Sequence, residues 1–390
     1  MSRSNPSPGE IKAKLESLRG DSTPRPVTAR VVASQSANTR CGLLTLANAS
    51  GVRFDRMLQH TEFAVPYGQA RSAITRGNQF EGKLKAGGYA ELFQVLREAF
   101  GIGDQPLTVR NLKEEVPHDR ADPYGSLGKR ADLTREIIKE SLTAKVESPH
   151  LIDGAILRLD LGGQVGYLET DALALRLKGK LRVGEIKSFP AIDGRADPAK
   201  VGSAADQSAV YVLALENLVR ELGGDPEQQV SSRILLITPR NTGMRPTVHE
   251  IDVSRRVSHH RRQLEGAPDL NELLAAVPSA VSFPSEDGKG NPVVELGKMA
   301  AATGTCYSPT CLSFCGLSRW CRHRASEVSD PTRIGPTLVR LLPGVASLER
   351  ARELAGGAAP TAGEEAAAEP LRRAERLLRS IPMPPRKQVA

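Results

Sequence analysis

No apolar run in the sequence is long enough to span a bilayer. The stretch Met1 to Arg25 also lacks the apolar core that an export signal needs. Membrane-embedded and exported classes are therefore set aside, and a cytoplasmic protein is expected. Cysteine is scarce, with five in 390 residues. An odd count in a chain without an export signal argues against a disulfide framework. The cysteines also lack the two short Cys-x2-4-Cys knuckles, separated by a longer insert, of an ordinary zinc site.

What is present is an ordinary soluble composition, 39% hydrophobic and 25% charged, long enough for one large domain or two. The formal charge of +8 suits a polyanionic partner. Residues 1–26 are polar and rich in Pro and Ser, and read as a flexible arm. Residues 27–325 hold the patterned segments, and 326–390 form an Ala/Arg/Pro-rich tail with helices expected near Val345 to Leu354 and Glu364 to Ser380.

The polar residues that make chemical sense together lie between Gln164 and Tyr211. From Gly166, two strands rich in Leu and Val are expected, joined by a turn at Lys178-Gly179-Lys180. Side chains alternate along a strand, so Leu181, Val183, Glu185 and Lys187 share one face, while Arg182, Gly184, Ile186 and Ser188 take the other. Symmetric pairing about Gly179 sets Asp171 opposite Lys187 and one rung from Glu185. Ala155 to Leu161 is expected to pair with this hairpin through a Gly162-Gly163 turn. Asp153 and Asp160 compete with Asp171, which alone has the matching face parity.

Two carboxylates on a core-facing surface are costly unless a cation compensates them. Asp171, Glu185 and the carbonyl of Ile186 are hard oxygen ligands suited to Mg²⁺ or Mn²⁺. With Lys187 to orient a water and offset developing charge, the set points to phosphodiester hydrolysis. The bland alternative is a surface hairpin with ordinary alternating charge.

A helix is expected from about Asp197-Pro198 to Leu222, its apolar stripe running through Val201, Ala205, Val212 and Leu215. Gln207 and Tyr211 stand four apart on one of its faces. Upstream, Pro66 to Phe100 reads as two helices broken near Gly87-Gly88. Downstream, SRILLITP and PTVHEIDV read as strands, and Ser254 to Val277 as a helix. That helix carries a basic run including Arg255, Arg256, His259, His260, Arg261 and Arg262.

Asp, then Glu-x-Lys at a strand end, then Gln-x3-Tyr on the next helix resembles the RecB-like branch of the PD-(D/E)XK nuclease superfamily. The resemblance implies an α/β fold with a restriction-endonuclease-like core, a central mixed sheet flanked by helices. It also implies a DNA nuclease acting on ends or single strands, in repair, recombination or defence, in some cases with a helicase or other protein subunit. Gln207 and Tyr211 then flank the metal site and help hold the DNA. Members commonly place a metal-binding His four residues after a helical Gly; here Gly77 is followed by Glu81, a carboxylate in its place. His150 is a spare candidate.

Cys306, Cys311, Cys315 and Cys321 crowd one segment with gaps of four, three and five residues. Outside an oxidising compartment such crowding reads as a metal or cluster site. Some RecB-like nucleases, the AddB subunit and the CRISPR-associated adaptation exonucleases among them, hold a 4Fe-4S cluster with one Cys ahead of the nuclease motifs and three after. Cys41, Cys311, Cys315 and Cys321 match that order, with Cys-x3-Cys-x5-Cys where those proteins have Cys-x2-Cys-x5-Cys. Cys306 is the alternative fourth ligand, and zinc the alternative metal. Such a staple would tie the two ends of the domain together. Two further readings stand beside the nuclease: an inactive nuclease-fold protein that binds nucleic acid, and a zinc- or cluster-stapled scaffold.

Overall fold

The computed structural model describes residues 7–64, 71–103, 106–119, 122–143, 149–161, 165–177, 179–241, 243–287 and 289–381. Helices α1 (Pro8–Arg19), α2 (Ala29–Ser36), α3 (Gly42–Ser50) and the single turn α4 (Phe54–Met57) lead into the long α5 (Arg71–Phe100). Strand β1 (Val109–Asn111), the turn α6 (Leu112–Glu115) and α7 (Pro123–Thr143) follow. Next come β2 (Leu151–Asp153), β3 (Ile156–Asp160), β4 (Val165–Glu169), β5 (Ala172–Leu177) and β6 (Lys180–Ile186). Helix α8 (Pro198–Glu221) and the turn α9 (Pro226–Gln229) precede β7 (Arg233–Pro239) and β8 (Pro246–Asp252). The remainder is helical: α10 (Ser254–Glu265), α11 (Leu270–Ala276), α12 (Pro292–Thr303), α13 (Cys311–Phe314), α14 (Ser318–Val328), α15 (Pro336–Val339), α16 (Leu348–Gly356) and α17 (Glu365–Ser380).

Six strands form a mixed sheet in the order β1-β2-β5-β6-β7-β8. The two pairs β1–β2 and β6–β7 are parallel, and the others antiparallel. Alternation in the strands sends side chains to two different cores. Leu173, Leu175, Leu181, Val183, Ile234 and Leu236 pack with α8, whereas Ala172, Ala174, Ile186, Leu235 and Ile237 pack with α5. The sheet is therefore covered on both faces, which is why its strands read as nearly continuous apolar runs.

Helix α8 begins where Asp197 accepts hydrogen bonds from the N–H groups of Ala199 (2.9 Å) and Lys200 (3.2 Å), with Pro198 in the first turn. Helix α5 is interrupted at Ala86 to Tyr89, where Gly87, Gly88 and Tyr89 adopt left-handed dihedrals, as the paired glycines predict.

Several expectations are corrected. The stretch read as a flexible arm forms α1, whose Ser7 and Glu10 close a capping box. Its Ile11, Leu15 and Leu18 are buried in a second core. The strand expected from Gly166 is broken at Thr170-Asp171: β4 pairs only with β3 in a separate ribbon, and it is β2 that flanks β5. The expected Gly162-Gly163 turn lies outside the described residues, as does Lys178. Pairing about Gly179 is also displaced, since an irregularity between Ala174 and Leu177 brings Ala172 opposite Gly184. The displacement is two residues, so every side chain keeps its expected face. The helix expected from Ser254 to Val277 is two helices, separated at the Gly266-Ala267-Pro268 stretch.

The second core gathers α1, α3, α12 and the cysteine segment around Leu43, Leu46, Met299 and Trp320. In the tail, α16 and α17 form a helical pair with its own small core of Val345, Ala351, Leu354, Ala367 and Ala368. Among the described residues no helix is long and apolar enough to cross a membrane.

Candidate functional site

The register that sets Ala172 opposite Gly184 brings Asp171, at the mouth of β5, across from Glu185 near the end of β6. Asp171 Oδ2 accepts the backbone N–H of Ile186 at 2.9 Å. Lys187 lies one step beyond on the same face, its N–H donating to the carbonyl of Ile237 (3.0 Å) and its Nζ ion-paired with Glu185. Glu185 is fully buried, yet neither carboxylate oxygen has a hydrogen-bond partner; the ammonium touches Oε1 without hydrogen-bond alignment.

The electrostatics follow from that burial. Desolvation, with the facing Asp171 adding to it, pushes Glu185 up to about 8. Burial also raises Asp171, against the pull of Lys187 and the Ile186 N–H. Burial disfavours the charged ammonium of Lys187, but Glu185 and Asp171 outweigh it and hold the group above the ordinary lysine range. This is a pair of carboxylates short of positive charge, and a hard divalent cation fits that deficit.

On α8, Gln207 donates to the Tyr211 hydroxyl at 3.0 Å. Burial, followed by the nearby Glu185, lifts Tyr211 well above the ordinary tyrosine range. Gln207 and Tyr211 thus belong to the same site as the strand carboxylates. Glu81, on α5, is close enough for its charge to raise Asp171, and its Oε1 pairs with Lys85 at 2.5 Å. His150 stands elsewhere, its Nδ1 held by the N–H (3.2 Å) and hydroxyl (3.1 Å) of Thr108. Asp160 lies at the end of β3, lining a different cavity.

Two ion networks around the site are not readable from local sequence. Buried Asp153, on β2, accepts from Lys85 Nζ (2.8 Å) and from the Tyr89 hydroxyl (2.6 Å), so the break in α5 is fastened to the sheet. Glu169 pairs with Lys113 (2.7 Å) and with the buried Arg130 (3.1 Å). Arg130 also donates to the carbonyl of Gly154. The signal for these networks is only that Asp153 and Glu169 end strands leading toward the site; their cationic partners come from remote helices.

The basic run on α10 is divided in use. Arg256 pairs with Asp206 and Arg261 with Glu216, both on α8, and His260 is buried against Ser36. Arg255 and Arg262 remain exposed.

All five cysteines are free thiols. Cys41, the residue before α3, shares one core with Cys306, Cys311, Cys315 and Cys321, far from it in sequence. Its pKa is raised by burial and further by Cys311 and Cys306. Burial, with Cys311 and Cys41 reinforcing it, pushes Cys315 up to about 12. Burial also lifts Cys321 well above the usual thiol range, reinforced by Cys315, Cys41 and Cys311. Asn38 donates to Cys311 Sγ at 3.2 Å and to the Cys306 carbonyl at 2.6 Å. Cys306, half-buried like Cys321, is not among the groups that raise Cys315 or Cys321. The approach depends on Gly42: a Cβ there would stand 2.1 Å from the carbonyl oxygen of Thr303. Among the described residues, no three His, Cys, Asp or Glu side chains stand at the spacing of a formed metal shell. Both clusters bring candidate ligands together without closing them.

No protein-family model matches the sequence, and no curated protein matches it. A solved structure described as "Crystal structure of SSO0001" aligns at 14% identity over 47% of this chain and 87% of that one. Its TM-score of 0.19 is too low to equate the two folds.

Proposed function

We propose that this chain is a metal-dependent deoxyribonuclease of the RecB-like PD-(D/E)XK type, with a restriction-endonuclease-like core, acting on single strands or ends. One observation carries the reading. Glu185 is fully buried with only the Lys187 ammonium against its carboxylate and no hydrogen bond to either oxygen, Asp171 faces it, and the bonded Gln207–Tyr211 pair lies beside them.

Asp171, Glu185, the Ile186 carbonyl and Glu81 would hold Mg²⁺ or Mn²⁺, which when bound lowers the pKa of water and polarises a phosphoryl oxygen. The chain's own groups do the rest. Lys187 keeps its proton because two carboxylates surround it, so it can donate to an attacking water and offset charge on the phosphoryl group. Tyr211 keeps its phenolic proton and, tied to Gln207, offers a fixed donor to a phosphate oxygen.

Cys41, Cys311, Cys315 and Cys321 fit a 4Fe-4S cluster better than a set containing Cys306, because Cys41 and Cys311 act on both Cys315 and Cys321, whereas Cys306 acts on Cys41 and Cys311 alone. The cluster would supply ligation energy joining the two ends of the second core. Zinc is the alternative occupant. DNA is the partner, with a helicase or other protein subunit as a further candidate.

The test is cleavage of labelled single- and double-stranded DNA by anaerobically purified protein with Mg²⁺ or Mn²⁺, beside Lys187→Ala. Metal-dependent cutting by the unaltered protein, reduced at least about 100-fold in the variant, is expected. Equal cutting by both removes Lys187 from the site. Binding without cutting favours the inactive nuclease-fold reading.

A further inference from the structure

Beside Lys187 and Gln207 opens a cavity of about 590 Å³ whose lining includes Arg30, Arg76, Lys200 and Phe189. The three further cations come from α2, α5 and α8, elements distant in sequence that converge here. Among the described residues no carboxylate lines the cavity. Arg30, Arg76 and Lys200 make no ion pair among those residues either, whereas Arg130, Arg182, Arg256 and Arg261 are each paired with a carboxylate. Arg76 Nε is buried without a hydrogen-bond partner. Arg30 is close enough to Lys187 to oppose its charge.

Three cations without counter-charge, gathered beside a Lys187 that is already paired with Glu185, repel one another, and an anion bound among them offsets that cost. Cations brought by three helices to the lining of one cavity of about 590 Å³ suit a chain of phosphates better than a single anion. The half-buried ring of Phe189 on the same wall adds a face on which a base can stack. We propose that Arg30, Arg76 and Lys200 form a phosphate track that feeds one strand of nucleic acid, unpaired, past Phe189 to Lys187. This rests on the nuclease reading for the direction of travel, but not for binding itself.

The test uses the full chain in EDTA, with a fluorescently labelled oligothymidylate as probe and anisotropy as readout. Arg30→Gln/Arg76→Gln/Lys200→Gln should weaken binding at least about tenfold. Each cation lost should remove about 0.7 from the slope of log affinity against log salt, so the slope should flatten by about 2. The double variant Arg30→Gln/Lys200→Gln alters only exposed side chains and serves if the triple variant melts early. Arg255→Gln/Arg262→Gln on α10 should leave binding unchanged. Phe189→Leu should weaken binding with no change in slope. In cleavage assays the track variants should raise KM with kcat nearly unchanged.

Unchanged affinity in the track variants, or greater loss in the α10 variant, overturns the track. So does an unaltered protein that does not bind the probe. A duplex of the same length bound as tightly, with the same sensitivity to the three substitutions, overturns its single-strand character. If the unaltered protein binds but never cuts with either metal, the nuclease reading fails while the anisotropy still decides the track.

Discussion

Asp171 accepts the Ile186 N–H at 2.9 Å, tying the break between β4 and β5 to the end of β6 where Glu185 faces it. The carboxylate therefore has a structural partner on one oxygen as well as its proposed ligand role, and the two can be separated. Asn at this position keeps an oxygen acceptor for the N–H but carries no charge. Asp171→Asn should melt close to the unaltered protein while metal-dependent cleavage falls at least about 100-fold, the loss of a charged ligand being worth several kcal/mol in the transition state. Asp171→Ala should in addition lose about 1 kcal/mol of stability in a denaturant titration. Full activity in the Asn variant would remove Asp171 from the metal site.

Glu185 makes stability depend on pH in an unusual direction for a carboxylate. Its folded-state pKa is raised to about 8, so between the ordinary carboxylate range and that value the folded chain holds a proton that the unfolded chain has released. Stability from this group is full below the unfolded pKa and is lost as pH rises through the folded one. The melting temperature of metal-free protein should fall across that window more steeply than that of Glu185→Gln. Mg²⁺ or Mn²⁺ should flatten the difference, and parallel profiles for the two proteins would contradict the burial argument.

The thiol cluster predicts a colour and a ligand set. Anaerobically purified protein should be brown and contain iron and acid-labile sulfide. Cys41→Ser and Cys321→Ser should lose both and melt earlier, whereas Cys306→Ser should keep them. Stoichiometric zinc without sulfide would end the iron-sulfur assignment, and loss of the cluster in Cys306→Ser would replace Cys41 as fourth ligand.

Gly42 is tested by a single methyl group. With the Thr303 carbonyl oxygen 2.1 Å and Leu273 Cδ2 2.9 Å from the position of a Cβ, Gly42→Ala must push α3 away from the end of α12. A loss of about 1 to 3 kcal/mol is expected from overpacking, measured by the denaturant midpoint. Less metal should remain in the cysteine cluster of the purified variant.

The parts of this arrangement that were legible in sequence are those with a strict local period. Alternation alone separates Leu181, Val183 and Glu185 from Ile186, and the four-residue step joins Gln207 to Tyr211. The paired glycines gave the interruption of α5. Register was less accessible, because an irregularity inside β5 leaves no compositional mark while it shifts every partner. The N-terminal helix carries its signals in Ser7-Pro8-Gly9-Glu10 and in the spacing of Ile11, Leu15 and Leu18, but the surrounding Pro and Ser give the stretch the composition of a loose arm. The fastening of Lys85 and Tyr89 to Asp153, and of Lys113 and Arg130 to Glu169, joins elements far apart in sequence; no local pattern encodes it.

The meeting of Cys41 with Cys311, Cys315 and Cys321 has a consequence for how the chain is made. Leu43 and Leu46 share their core with Met299 and Trp320, so α1 and α3 have no place to dock until most of the protein has been synthesised, whereas α2 can pack on α8 earlier. On the ribosome the sheet and its α8 face can form first, since all their strands lie between β1 and β8. Helices α1 and α3 must wait, with their apolar faces uncovered and Cys41 unpartnered, until the late segment emerges. A nascent chain arrested before Cys306 should therefore be a target for chaperones and proteases at its beginning, not at its growing end.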